Sequence, residues 1–350
     1  MNRMTLTSRP SLAVDSAEQT VTHRDERSRG KAYGLLAHAV WGVFPLYFHA
    51  LEPAGAWEVL AHRVMWTLVV CAAVLLLRQD LAWVRPLLVR RRLGLGVVAA
   101  ALLIATNWVV YVYAVVSGHV IEAALGYFLN PLVTVAVGVV ILREPLRRLQ
   151  WLAVGIGFMA AAYLTIDYGK PPWISLVVAL TFAFYGLTKK LVGTTLTAMH
   201  SLAAETAVLL PVALVIVLVL DVRDATTFLG HGPGHTMLLL AAGVLTAIPM
   251  LLFGAAARRI PLSQIGLLQF VTPVLQLLCG VLLLGENMPP SRWIGFGIVW
   301  IALAVLSVDA ARLRPGPPAE LSTIPEGKHS MREIRSFMSM AMHATRRSEQ

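Results

Sequence analysis

Apolar residues along this chain come in long blocks rather than in strict alternation. Between about residue 32 and residue 310 the charged residues fall in short clusters. The runs between clusters have the length of a membrane-crossing helix, roughly 20 residues. Ten such runs can be marked, at 32–50, 57–77, 93–116, 120–142, 149–167, 173–191, 198–220, 236–256, 261–284 and 291–310. The sixth is the least apolar, because Thr181, Tyr185 and Thr188 interrupt it before Lys189 and Lys190. The predicted fold class is all-α integral membrane, with ten transmembrane helices.

Composition supports lipid as the solvent, since 57% of the residues are hydrophobic and 14% charged, against about 25% charged in soluble domains. The formal charge of +10 would suit a nucleic-acid partner, but its placement excludes that reading. Lys and Arg cluster at the ends of the runs, where they set orientation, because basic residues resist translocation. One alternate set of loops holds twelve of them and the other three, Lys170, Arg223 and Arg292. Both termini lie on the basic side, which predicts a multi-pass protein of the cytoplasmic (inner) membrane with both ends in the cytoplasm. The first thirty residues contain no apolar core of a cleavable signal, so the first run is expected to act as its own insertion signal. Cys71 and Cys279 both sit within apolar runs and suggest core filling, not a disulfide or a metal motif.

The fourth and fifth runs repeat in the ninth and tenth at an offset of 142 residues. Pro131 falls on Pro273, Gly138 on Gly280, Glu144 on Glu286, Trp151 on Trp293 and Gly155 on Gly297. An odd number of crossings per copy turns the second copy upside down. The expected organisation is therefore a polar cytoplasmic tail (1–31), a first five-helix repeat (32–167), an inverted second repeat (173–310) and a basic cytoplasmic tail (311–350). Inverted repeats of this kind recur in transporters, where the substrate site lies near the midplane between the halves. The tails read as irregular, although Met331, Ile334, Met338 and Met342 could form one stripe of a surface helix.

The segments WGVFPLYF (41–48), EVLAHRVMW (58–66), NWVVYVYAVVSGHVIEAALGYFLNPL (107–132) and RRIPLSQIGLLQFVTPVLQ (258–276) resemble the RarD proteins. These are known as chloramphenicol-sensitive proteins, within the EamA branch of the drug/metabolite transporter superfamily. The resemblance covers about residues 32 to 310. It implies a five-plus-five transporter whose central cavity is lined mainly by helices other than the fifth and tenth. It implies no particular substrate, because the superfamily carries amino acids, drugs, nucleotide sugars and other metabolites.

Ionisable groups inside a span are costly and mark candidate sites. Arg63 lies about six residues into the second run, roughly 9 Å deep at 1.5 Å per residue, with His62 beside it and Glu58 one turn before. It could anchor an anionic or carboxylate-bearing substrate, or its long side chain could snorkel outward. Glu205 is the deepest acidic residue, a candidate for a coupling proton or for a structural ion pair. Glu122, Gly126 and Asn130 share a helical face, and Gln264, Leu268 and Thr272 are their counterparts. Pro131 and Pro273 follow the polar ends of these stripes as candidate helix kinks. Asn107 and Tyr111 share a face of the third run, and Gln269 and Gln276 extend the polar face of the ninth. Trp41 and Tyr111 are candidates for stacking on a planar substrate, with interfacial anchoring the alternative for aromatics near span ends.

No HExxH, GxSxG, P-loop or GxGxxG pattern is present, so no enzyme class is expected, and no cofactor or metal. His231 and His235 in HGPGH read as loop residues, because Gly and Pro separate them. The predicted function is secondary active transport of a small organic metabolite or drug by alternating access, proton-coupled or by exchange. A non-catalytic accessory or lipid-handling protein of flippase type is the alternative. Expected partners are a small-molecule substrate, membrane lipid and a coupling proton, and a homodimer stays open.

Overall fold

The computed structural model describes residues 11–116, 120–168, 173–283 and 290–311. The C-terminal segment, including the stripe around Met331, lies outside the described residues. Among the described residues every regular element is a helix. Helices α1 (Ser11–Gly42) and α2 (Phe44–Ala50) meet where Pro45 enters the first turn of α2, a position that needs no backbone donor. The polar tail expected to be irregular is instead helical from Ser11 onward. An existing helix extends through residues such as Ala, Glu, Gln and Arg without a new nucleation cost.

Helices α3 (Ala56–Leu77), α4 (Val84–Val89), α5 (Arg91–Val116), α6 (Val120–Val140) and α7 (Arg148–Tyr168) follow. Then come α8 (Trp173–Val192), α9 (Ala198–Val222) and α10 (Gly232–Ala257). The next apolar run is broken into α11 (Leu262–Leu268) and α12 (Val271–Leu278), which continues as a π-helical turn, Cys279–Leu283, before α13 (Pro290–Ala311). Among the described residues six stretches are long and apolar enough to cross a membrane: α3, Arg91–Tyr111 of α5, α8, α9, α10 and Leu262–Leu283. Leu77, Val140, Phe158, Leu218 and Val222 point outward and are exposed, as a lipid-facing belt requires. The protein is an all-helical, multi-pass membrane protein.

The HGPGH expectation is corrected for His235, while His231 stays outside the helix at its N-cap. α10 begins at Gly232, with Pro233 in its first turn, where proline is favoured, and His235 is buried in that helix with its Nε2 2.8 Å from Thr227 Oγ1. Glu58 explains the neighbouring loop. Its carboxylate accepts from Thr227 N (2.7 Å), Thr227 Oγ1 (2.8 Å) and Phe228 N (3.1 Å), tying the α9–α10 connection to the start of α3.

Two further devices fix the packing around the centre. Glu144, in the α6–α7 connection, accepts from Leu262 N (2.8 Å) and Ser263 N (2.7 Å), so it caps α11 from another part of the chain. Lys190 donates to Ile260 O at 2.8 Å and lies 3.7 Å from Glu144. The break after α11 follows from Pro273. It has no N–H for Gln269 O, which accepts from Thr272 N at 3.1 Å instead.

Helices α3 and α10 touch backbone to backbone. A Cβ at Gly243 would stand 2.4 Å from the carbonyl carbon of Trp66 and 2.5 Å from its oxygen, atoms that no rotamer change can move. Gly243→Ala should therefore reduce folded protein, with a cost of about 3 kcal/mol, at the upper end for overpacking. Gly297→Ala, whose added methyl meets nothing within 4 Å, should leave yield and thermal unfolding of the purified protein essentially unchanged. Equal behaviour of the two variants would contradict this close crossing.

Candidate functional site: a central cavity around Arg63

A cavity of about 230 Å³ opens among these helices. One stripe of α5 faces it, with Ile104, Asn107, Trp108 and Tyr111 at helical spacing. Gln269, Thr272 and Gln276, on either side of the α11–α12 break, form a second, polar stripe. His38 and Trp41 enter from α1, Phe44, Pro45 and Phe48 from α2, and Tyr127 and Asn130 from α6. Phe182 of α8 and Met250 of α10 complete the wall. Neither α7 nor α13 contributes a described lining residue, as the family resemblance implies for the fifth and tenth spans.

Arg63 of α3 supplies the charge. Its Nε donates to Thr246 Oγ1 at 3.0 Å. Its guanidinium carbon stands 4.6 Å from the Trp108 ring centroid and 5.7 Å from those of Phe44 and Phe48. Such ring faces attract a cation by about 1–2 kcal/mol each when water is excluded. They leave the outer guanidinium nitrogens free to bond, and among the described residues no carboxylate pairs with Arg63. The side chain does not snorkel away, because α2 folds over it.

Among the described residues, three polar atoms around the cavity are buried without a partner: His38 Nε2, Asn130 Oδ1 and Gln269 Nε2. For Gln269 and His38 their neighbours explain why. The Gln269 amide oxygen accepts from Thr134 Oγ1 at 3.2 Å, which turns its NH₂ the other way. Thr272 Oγ1 donates to His38 O at 3.0 Å and lies 3.2 Å from His38 Nδ1. With the hydroxyl proton committed to the carbonyl, Nδ1–H must be the donor to Thr272, leaving Nε2 as an acceptor in the neutral ring. By contrast, Asn107 is held by Val178 O (2.8 Å) and Thr181 Oγ1 (3.1 Å), and Gln276 Nε2 lies 3.4 Å from Trp41 O.

Of the residues singled out from sequence, Trp41, Arg63, Asn107, Tyr111, Asn130, Gln269 and Gln276 all line this cavity. Pro131 lies inside an α6 that runs on to Val140, and Pro273 lies in the first turn of α12. The Glu122 side chain lies outside the described residues. Glu205 is elsewhere. Its carboxylate is 1% exposed and accepts from Lys189 Nζ (2.8 Å), Ser201 Oγ (2.5 Å) and Tyr185 OH (3.0 Å). A line of rings connects that cluster to the cavity: Trp41 lies 5.7 Å from Phe253, which stacks on Tyr185 at 5.9 Å.

Sequence reasoning passed over His38, Phe44, Phe48 and Tyr127. His38 carried a usable signal, a titratable side chain inside an apolar run one turn before Trp41. Tyr127 also shares a face with Asn130, three residues on. The two phenylalanines carried none, because an apolar residue in an apolar run looks the same facing lipid or cavity.

A helical membrane bundle around a cavity whose charge, among the described residues, is Arg63 suits a transporter, and the comparisons give that class. A profile of the EamA-like transporter family matches residues 28–166 and, a second time, residues 172–308. The chain therefore belongs to the EamA-like transporter family. It is 49% identical over 308 residues to "Protein RarD" of Streptomyces exfoliatus, across 85% of this chain and 97% of that protein. An uncharacterized transporter of Pseudomonas aeruginosa is 42% identical, across 81% and 95%. "Protein RarD" of Escherichia coli is 34% identical, across 81% and 95%. A solved crystal structure of a protein shares the fold, with a TM-score of 0.63 at 18% identity over 81% of this chain and 99% of that one.

Proposed function

We propose that this protein is a secondary active transporter that moves a small organic anion, a metabolite or a drug, across the cytoplasmic membrane by alternating access. The observation that carries this reading is Arg63, a guanidinium in a ring-lined cavity with no described carboxylate to neutralise it. A buried charge without a partner is costly, so a site that keeps one is suited to an anion that arrives and leaves. The transport cycle is taken to be driven by proton coupling or by exchange, with Glu205 as the coupling carboxylate.

Ten spans in two inverted five-helix repeats, with both termini cytoplasmic, form the frame of this proposal. Its support is the double match to the family profile and the 142-residue offset. Tyr127 and Gln269, and likewise Asn130 and Thr272, are separated by that offset and line the same cavity. The basic loops supply the orientation.

The test is uptake of radiolabelled benzenesulfonate, an aromatic anion that stays ionised and so cannot cross lipid as a neutral acid, into proteoliposomes under an imposed pH gradient. Wild-type protein should accumulate the anion, whereas Glu205→Gln should equilibrate it without accumulation, since Gln keeps an oxygen for Lys189 but holds no exchangeable charge. Equal accumulation by both proteins would remove Glu205 from the coupling. Flux no faster than in empty liposomes, for benzenesulfonate and for a wider panel of permanently ionised organic anions, would sink the transporter reading.

A further inference from the structure

Arg63 accounts for one end of a ligand, and the three orphaned polar atoms describe the other. They lie close together in the fold. Asn130 sits one turn before Thr134 on α6, and Thr134 holds the Gln269 carboxamide. Gln269 and Thr272 flank the helix break, and Thr272 holds His38. Two orphans are fixed by their neighbours in a definite sense, Gln269 Nε2 as a donor and His38 Nε2 as an acceptor, and the amide oxygen of Asn130 can only accept. A group buried in this state loses the hydrogen bond it would make in water, so a ligand that restores it gains more than from a contact with a group already paired.

From this juxtaposition we infer that the cargo is a flat monocarboxylate whose ring carries a urea edge, a carbonyl flanked by two N–H groups. The ring carbonyl accepts from Gln269 Nε2, and ring N–H groups donate to Asn130 Oδ1 and His38 Nε2. The carboxylate lies on the Arg63 guanidinium. Trp41, Trp108 and Tyr111 supply the flat walls against which such a ring stacks. The inference rests on the transporter reading of the same cavity and narrows it. An α-amino acid fits poorly, because its ammonium would find no carboxylate among the described lining residues and would share the cavity with Arg63. A plain aromatic acid satisfies Arg63 and leaves all three orphans unpaired.

The experiment is isothermal titration calorimetry on the full chain in lipid nanodiscs, with orotate, benzoate, uracil and phenylalanine as probes. Orotate carries both the carboxylate and the edge, benzoate only the carboxylate, and uracil only the edge. Orotate should bind about tenfold or more tighter than benzoate, and also tighter than uracil and phenylalanine, since it restores hydrogen bonds to buried groups. In Gln269→Leu and Asn130→Leu the ratio of orotate to benzoate affinity should shrink toward one. The wild-type comparison needs no variant, so misfolding of either cannot shield the inference. Equal affinity for orotate and benzoate overturns the edge and leaves the anion reading standing. Failure of both carboxylates to bind overturns the anion reading as well, and tighter binding of phenylalanine than of either would do the same.

Discussion

Replacing Arg63 with alanine is expected to bring transport down to the background of empty liposomes while the protein still folds and reaches the membrane. Both halves of this expectation follow from the contacts of the side chain. In the protein itself Arg63 makes one hydrogen bond, to Thr246, and no described ion pair, so its removal strands no opposite charge. What is lost is its packing against three rings, about 1–2 kcal/mol for each, part of which is returned because the charge itself no longer has to be kept out of water. No such return offsets the loss to a bound anion. Truncating one partner of a buried, hydrogen-bonded charge pair costs about 2–5 kcal/mol, which corresponds to a fall in affinity of roughly 30-fold to several thousand-fold. Arg63→Lys should be intermediate, since it keeps the charge without the fork of donors. Uptake measured beside thermal unfolding of the same preparations separates the two effects. If Arg63→Ala is absent from the membrane but active per molecule, its role is structural.

Lys189→Met should have the largest effect on stability. The Lys189 and Glu205 side chains are buried, with the amine 2.8 Å from the carboxylate. Removing one member of such a pair leaves the other charge in a low dielectric, at a cost of about 3–5 kcal/mol. An apparent melting temperature lower by about 10 °C is the expected reading. The double variant Lys189→Met with Glu205→Leu should recover most of that loss, because two apolar side chains can fill the space of a buried ion pair at little or no net cost. The recovered protein should still fail to concentrate anions against a gradient, which would separate holding the fold together from coupling transport. Recovery of accumulation along with stability would show that the pair serves the fold alone.

Much of this was legible in the sequence because the membrane imposes so strict a rule on the backbone. With no water to satisfy N–H and C=O groups, apolar runs have to be helical, and the helices α3, α5 and α8 to α10 follow the runs closely. Arg63 stood out for the same reason, being a charge where a charge is costly. The Lys189–Glu205 pair was not legible. Lys189 lies beside Lys190 at the end of an apolar run, where a lysine reads as an orientation signal, and the sequence does not say that α8 and α9 fold back to bury it. The orphaned atoms around the cavity were also hidden, because which end of a carboxamide is occupied depends on partners such as Thr134, far away in the chain.

The grip of Glu144 on the start of α11 constrains how such a molecule can move. Pulling residues 262 and 263 off that carboxylate would strand two amides, so this short helix must ride with the α6–α7 turn, although its sequence belongs to the second copy. Gln269 sits at the trailing end of that passenger segment, and Thr272 lies beyond the break, bound to α1. Both sides of the break are therefore held by the first copy, so during alternating access Gln269 and His38 would travel together, and a bound ligand would be released against the helices of the second copy instead.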